Sequence, residues 1–232
     1  MTTTARQGWP VPTGLVLLSV IPLLGGALRV ADLSSDGPIT SANARFHAMP
    51  VPVLLHIAGA TVFCLLGAFQ FAAGLRRSHP AWHRRAGRVI ILCGLTVALS
   101  GLWMTAFYPL PPSDDLLLTV FRFIFGSAMA ASLVAAFAAI RRRDFRRHQA
   151  WMMRGYAIGQ GAGTQSILLL SVAAFVGQPT GLRRALVMGA AWILNLAVAQ
   201  WFLRRSSRHE APIRDGRHIA AAAVSHLPGR PS

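Results

Sequence analysis

The sequence predicts an all-helical polytopic membrane protein with six transmembrane helices and a central four-helix bundle made by spans two to five. Three observations carry the class. Hydrophobic residues make up 53% of the chain and charged residues 13%, where a soluble domain carries about 25% charge. Six apolar runs are each long enough for the roughly 20 residues with which a helix crosses a hydrocarbon core. The charge falls in bursts between those runs. A net charge of +16 and a pI near 12.0 would suggest nucleic acid in a soluble protein. Here the arginines gather at the ends of apolar runs, which is how membrane topology is written. The expected partner is the lipid bilayer, and nucleic acid is excluded.

The first span, 12–31, follows MTTTAR and is closed by Arg29. It is long for a signal peptide and no small-x-small cleavage site follows, so it is read as a retained anchor. With its outer loop it forms a unit over 1–49. Spans two to five (51–75, 88–109, 116–140 and 150–176) make a core over 50–176. A sixth span, 185–203, lies within 177–203. Residues 204–232 mix arginine, serine, proline and glycine around HIAAAAVSH, which reads as a disordered cytoplasmic tail. Cys64 and Cys93 fall inside apolar runs and suggest neither a disulfide nor a metal site.

Orientation follows from the arginines, which supply all 23 basic residues. One side holds Arg6, the clusters at 76–88 and 141–147, and the tail, 17 in all; the other holds Arg29, Arg45, Arg183 and Arg184. The positive-inside rule therefore puts both termini in the cytoplasm, with the protein in a bacterial inner membrane. Trp82 and Trp151 mark the same boundary, where an amphipathic ring is stable.

RRSHPAWH (76–83) and RRRDFRRH (141–148) are related by an offset of 65 residues. Each opens with paired arginines, ends in a histidine and leads into a new span. The pattern suggests two parallel hairpin repeats about an axis along the membrane normal, with spans one and six packed outside. The same offset carries His56 to position 121, beside Arg122, so these two residues are expected at matching depth. In span two, His56, Gly59, Phe63, Gly67, Gln70 and Gly74 form one helical stripe. Gly87, Gly94 and Gly101, and then Gly155, Gly159 and Gly163, repeat the device. Small residues mark close backbone approach in membranes, so these stripes should face protein. Arg154 and Gln165 should then project into the bundle, with Arg154 snorkelling back to the boundary. Arg122 needs either Asp114 or Asp115 as a partner, or a ligand.

Three functions fit this arrangement. The first is a b-type haem module carrying electrons to a redox partner. Histidines on diagonal helices roughly 13 Å apart suit an iron between them. His83 and His148 are the leading pair, and an outer site at His56 would need His47 or another ligand. Arg84, Arg88 and Arg154 would serve as propionate or anion partners. The second is a small-molecule or proton transporter. His56, Arg122, Gln165 and Asn195 would form its buried polar site together with Gln70, and His56 would carry the proton. The third is a non-catalytic scaffold or accessory subunit. In that case the amides Gln70, Gln160, Gln165, Asn195 and Gln200 merely bond helix to helix. No nucleotide loop, HExxH, CxxC or GxSxG occurs, so the chain carries no sign of a soluble-type enzyme.

The segments HIAGATVFCLLGAFQFAAGLRRSHPAWHRRAGRV (56–89) and RRRDFRRHQAWMMRGYA (141–157) resemble a family of prokaryotic membrane proteins known as domain of unknown function 2306. The matching positions are His56, Gly67, Gln70, Phe71, His83, Arg84, Gly87, Arg88, His148, Trp151, Met152 and Arg154. The resemblance covers about residues 50–170. It implies a multi-span bacterial membrane protein and supplies no substrate.

Overall fold

The computed structural model describes residues 9–225 and contains, among them, helices and no strand. In chain order these are α1 (Pro10–Leu33), α2 (Ala44–Ala48), α3 (Pro50–Phe69), α4 (Ala73–Ser78), α5 (Pro80–Phe107), α6 (Leu116–Arg141), α7 (Phe145–Gly159), α8 (Gly161–Val176) and α9 (Gly181–Ser225). Among the described residues, six segments are long and apolar enough to cross a membrane: α1, α3, α5, α6, the α7–α8 pair and Gly181–Ser206 of α9. The six-span class is therefore the observed one.

Local chemistry explains where the helices start. Proline opens α1, α3 and α5, since its missing N–H is one that a first turn leaves unpaired anyway. The Asp115 carboxylate accepts from Leu118 N at 2.9 Å to cap α6, and Asp144 does the same for Arg147 N to cap α7. The RRRD corner between α6 and α7 is a tight helix-to-helix turn. Arg143 takes a left-handed φ of 58°. Its N–H donates to Ile140 O and that of Asp144 to Ala139 O, each at 3.0 Å, the paired bonds of a Schellman stop. Pro80 and Phe145 open α5 and α7 at the same 65-residue offset seen between the two loop motifs.

Four boundaries differ from expectation, each for a physical reason. Hydropathy marks where lipid begins, whereas Pro80 marks where helix begins, so α5 starts at 80 rather than 88. His83, Arg84 and Arg88 thereby lie on helix. The second span stops at Phe69 rather than 75, tightening through Gln70 N–H to Gly67 O before the chain turns into α4. The fifth span begins at Phe145 and is interrupted at Gln160, between two glycines that support helix poorly. Helix α9 continues past Ser206 to Ser225, over residues expected to be disordered; the AAAAV run favours helix. Residues 226–232 of that expected tail lie outside the described residues.

Successive spans pack on each other: α3 on α5, α5 on α6, α6 on α7. The two halves of span five then diverge in partner, α7 lying against α6 and α9, α8 against α9 and α1. The buried core collects Phe63 from α3, Ile90 and Val97 from α5, Met129 and Leu133 from α6, and Tyr156 and Ile158 from α7. Leu15 of α1 and Trp192 and Leu196 of α9 pack against it. Spans one and six thus share the core rather than only covering it from outside. The glycine stripes face protein where they are deepest. A Cβ at Gly67 would run into the Tyr156 ring, at Gly159 into Phe63, and at Gly163 into the Leu18 backbone. Gly74 and Gly87, near the arginine-rich end, have open space instead.

Candidate functional site

Span five is interrupted near its middle, at Gln160, at a depth where a backbone group without a partner costs several kcal/mol. Polar side chains from neighbouring spans gather around the interruption. Asn195 of α9 donates to Ala157 O at 3.1 Å and accepts from Thr164 Oγ1 at 2.8 Å. Gln160 exchanges hydrogen bonds with Ser19 of α1 and donates to the Tyr156 hydroxyl at 2.8 Å. That hydroxyl donates in turn to Cys64 O of α3 at 2.7 Å. Gln165 donates to Met188 O at 3.2 Å. These amides do hold helix to helix. Ser19 and Tyr156 complete the network and escaped the sequence reading; a lone serine in an apolar run and a tyrosine below the membrane boundary were the available signals.

Beside this seam lies a cavity of about 340 Å³, at the low end of the range for small-molecule sites. It extends from the arginine-poor end, where Arg45, Tyr108 and Arg122 line it, down to Gly159 and Gln165. His56 of α3 stands in its wall. Its Nδ1 lies 3.0 Å from Val97 O and 3.1 Å from Ser100 Oγ. A carbonyl can only accept, so Nδ1 carries a proton, and in the neutral ring Nε2 is then the acceptor. The imidazole also borders a smaller cavity of about 130 Å³ between α1, α3 and α8. The deep part of the larger cavity is apolar: Phe125 stacks on Trp192 with ring centroids 4.7 Å apart, beside Met129 and Met188.

Arg122 finds the partner that its depth demands. Its Nη2 donates to Asp114 Oδ2 at 2.6 Å, while Arg184 Nε donates to Oδ1 at 2.9 Å. The Asp114 side chain is only 1% exposed. The pairing of Asp114 with Arg184 was not foreseen, since sequence treats the arginine only as a topology charge. Above the cavity, the α1 end and α2 are tied together through Asp32, which accepts from Arg29 at 2.7 Å and Asn43 at 3.1 Å. The guanidinium groups of Arg29 and Arg45 both lie over the Phe46 ring, 4.4 and 4.6 Å from its centroid. Burial pushes the Arg45 guanidinium down from its ordinary value, opposed by the nearby Asp114 carboxylate.

The other expected residues lie toward the arginine-rich end. His83 lies near the start of α5 and His148 near the start of α7. His148 Nδ1 lies 2.9 Å from Ala136 O, and His83 Nδ1 is buried without a partner. Neither residue borders either cavity. A macrocycle needs a slot between its two axial imidazoles, and no described cavity opens there. The haem b reading is therefore not supported, and neither is the redox partner it implied. Among the described residues, no group of three or more His, Cys, Asp or Glu could hold a metal ion. Arg84 and Arg88 are exposed on α5. Arg154 spans α7 to α9, donating to Gln200 Oε1 at 3.1 Å with its guanidinium over Trp151. Gln70 Nε2 is buried and unpartnered. Of the expected polar site, the structure thus brings His56, Arg122 and Gln165 to one cavity, sets Asn195 behind it as a brace, and leaves Gln70 elsewhere.

A six-span helical membrane protein with an interrupted fifth span and a cavity with arginines at its mouth is the class these features define. The chain belongs to the predicted membrane protein family DUF2306, whose profile matches residues 53–203. The match runs through the sixth span, further than the segments that first suggested the likeness. No curated protein and no solved structure matched the chain.

Proposed function

We propose that the protein takes up a small molecule from one face of the membrane into the cavity walled by His56, Arg122 and Gln165, as a transporter or membrane binding protein does. The carrying observation is that these three side chains, from three different spans, border the same space. The broken fifth span supports the reading: discontinuous helices at the membrane midplane recur where transporters hold their substrates, and Ile158, Gly159, Ala162 and Gln165 around the break line the cavity. His56, with Nε2 free, is the group suited to exchange a proton during uptake. The arginine asymmetry orients the chain with both termini in the cytoplasm of a bacterial cell, so that the cavity opens outward through the inner membrane.

Thiol labelling tests this. With Cys64 and Cys93 replaced by alanine, a single cysteine at Gln165 should react from outside with a membrane-impermeant reagent. A single cysteine at lipid-facing Ile167 should not. Equal, slow labelling of both would refute solvent access to the cavity.

A further inference from the structure

The mouth of the cavity carries more positive charge than its surroundings neutralise. Arg45, Arg122 and Arg184 gather there around one buried carboxylate, Asp114. Asp114 spends one oxygen on each of Arg122 and Arg184. Arg45 is left without a carboxylate at ion-pair distance among the described residues. Its Nε is buried without a hydrogen-bond partner, and its Nη1 reaches only Pro109 O, at 3.4 Å. Arg45 is therefore partly buried, held against the Phe46 ring and without a carboxylate of its own. Both Arg45 and Arg122 border the cavity, where an anion would meet two guanidinium groups. Beyond them the wall turns apolar and aromatic at Phe125 and Trp192.

Resting on the cavity reading above, we propose that the ligand is an organic anion, with a carboxylate or similar group between Arg45 and Arg122 and an apolar body against the Phe125–Trp192 stack. Guanidinium groups bind carboxylates through charge-assisted hydrogen bonds about twice as strong as neutral ones, and the aromatic floor accepts a flat or aliphatic body without requiring one shape. The anion competes with Asp114 for Arg122, while Arg184 keeps Asp114 in place. A free organic acid and an anionic lipid share this chemistry.

Calorimetry on the full chain in nanodiscs of neutral phosphatidylcholine tests the proposal, with 2-naphthoate and uncharged 2-naphthamide as probes. Naphthoate should bind at least about tenfold tighter than the amide. Arg45→Gln should bring the two within about twofold, as should Arg122→Gln if it folds, whereas Arg183→Gln, at an exposed arginine outside the cavity, should keep the preference. Adding phosphatidylglycerol identifies the source: competition with naphthoate assigns the site to a lipid, and its absence to a solute. Equal binding of acid and amide, no binding of naphthoate, or an unchanged preference in Arg45→Gln would overturn the anion assignment. Labelling of a cysteine at Gln165 would be unaffected by any of these results, so the wider reading stands or falls separately.

Discussion

Asp114 is the residue on which the mouth of the cavity turns, because among the described residues its carboxylate is shared by two guanidinium groups, from α6 and α9. Removing its charge leaves both arginines partly buried and unpaired. Asp114→Asn should therefore lower stability by about 2 kcal/mol, below the 3–5 kcal/mol of a fully buried pair because both arginines retain some exposure. Arg184→Gln should cost less, since Asp114 keeps Arg122. Thermal unfolding in detergent distinguishes the two, and a milder effect from the aspartate variant would contradict the arrangement. Sequence made Arg122 conspicuous as a charge too deep to be idle, and it named Asp114 among two acceptors. It could not find Arg45 and Arg184 in the same cluster, because loop arginines read alike until the chain is folded. Nor could it separate His56, which lines both described cavities, from His83 and His148, which share its residue type but line neither.

Among the helices, packing of glycine against aromatic rings decides how closely they approach. Gly161 meets Trp192 and Gly67 meets Tyr156, so neither position has room for a branched side chain. Gly161→Val should destabilise by about 1–3 kcal/mol through overpacking, and with the cavity floor displaced it should also slow labelling at Gln165. The opposite sign is expected at the α6–α7 corner. Arg143 holds a left-handed backbone, which costs a residue with a Cβ about 1 kcal/mol; Arg143→Gly should raise the melting temperature. A fall would show that the arginine side chain outweighs its backbone strain. The glycine spacing made the inward faces of these helices legible. It concealed the interruption of span five, because Gly-Gln-Gly serves a packing stripe and a helix break equally well, and only the hydrogen bond that Asn195 donates to Ala157 O tells them apart.

For the molecule as a whole, the six spans were readable because hydrocarbon thickness fixes the length of a crossing helix and leaves little else to choose. Which spans meet was less readable. Lipid and core are both apolar, so Leu15, Trp192 and Leu196 carry no mark that they reach the shared interior rather than acyl chains. That distinction is sharpest on the sixth span, where Met188 borders the cavity while Leu186, two residues earlier, is 54% exposed on the outside of the bundle. Power-saturation spectroscopy of single nitroxides at these two positions, in a background free of native cysteine, measures the difference directly. A label at Met188 should collide with a water-soluble nickel chelate, and one at Leu186 should collide with oxygen dissolved in lipid. Two labels with the same lipid signature would mean that no aqueous cavity lies behind the sixth span.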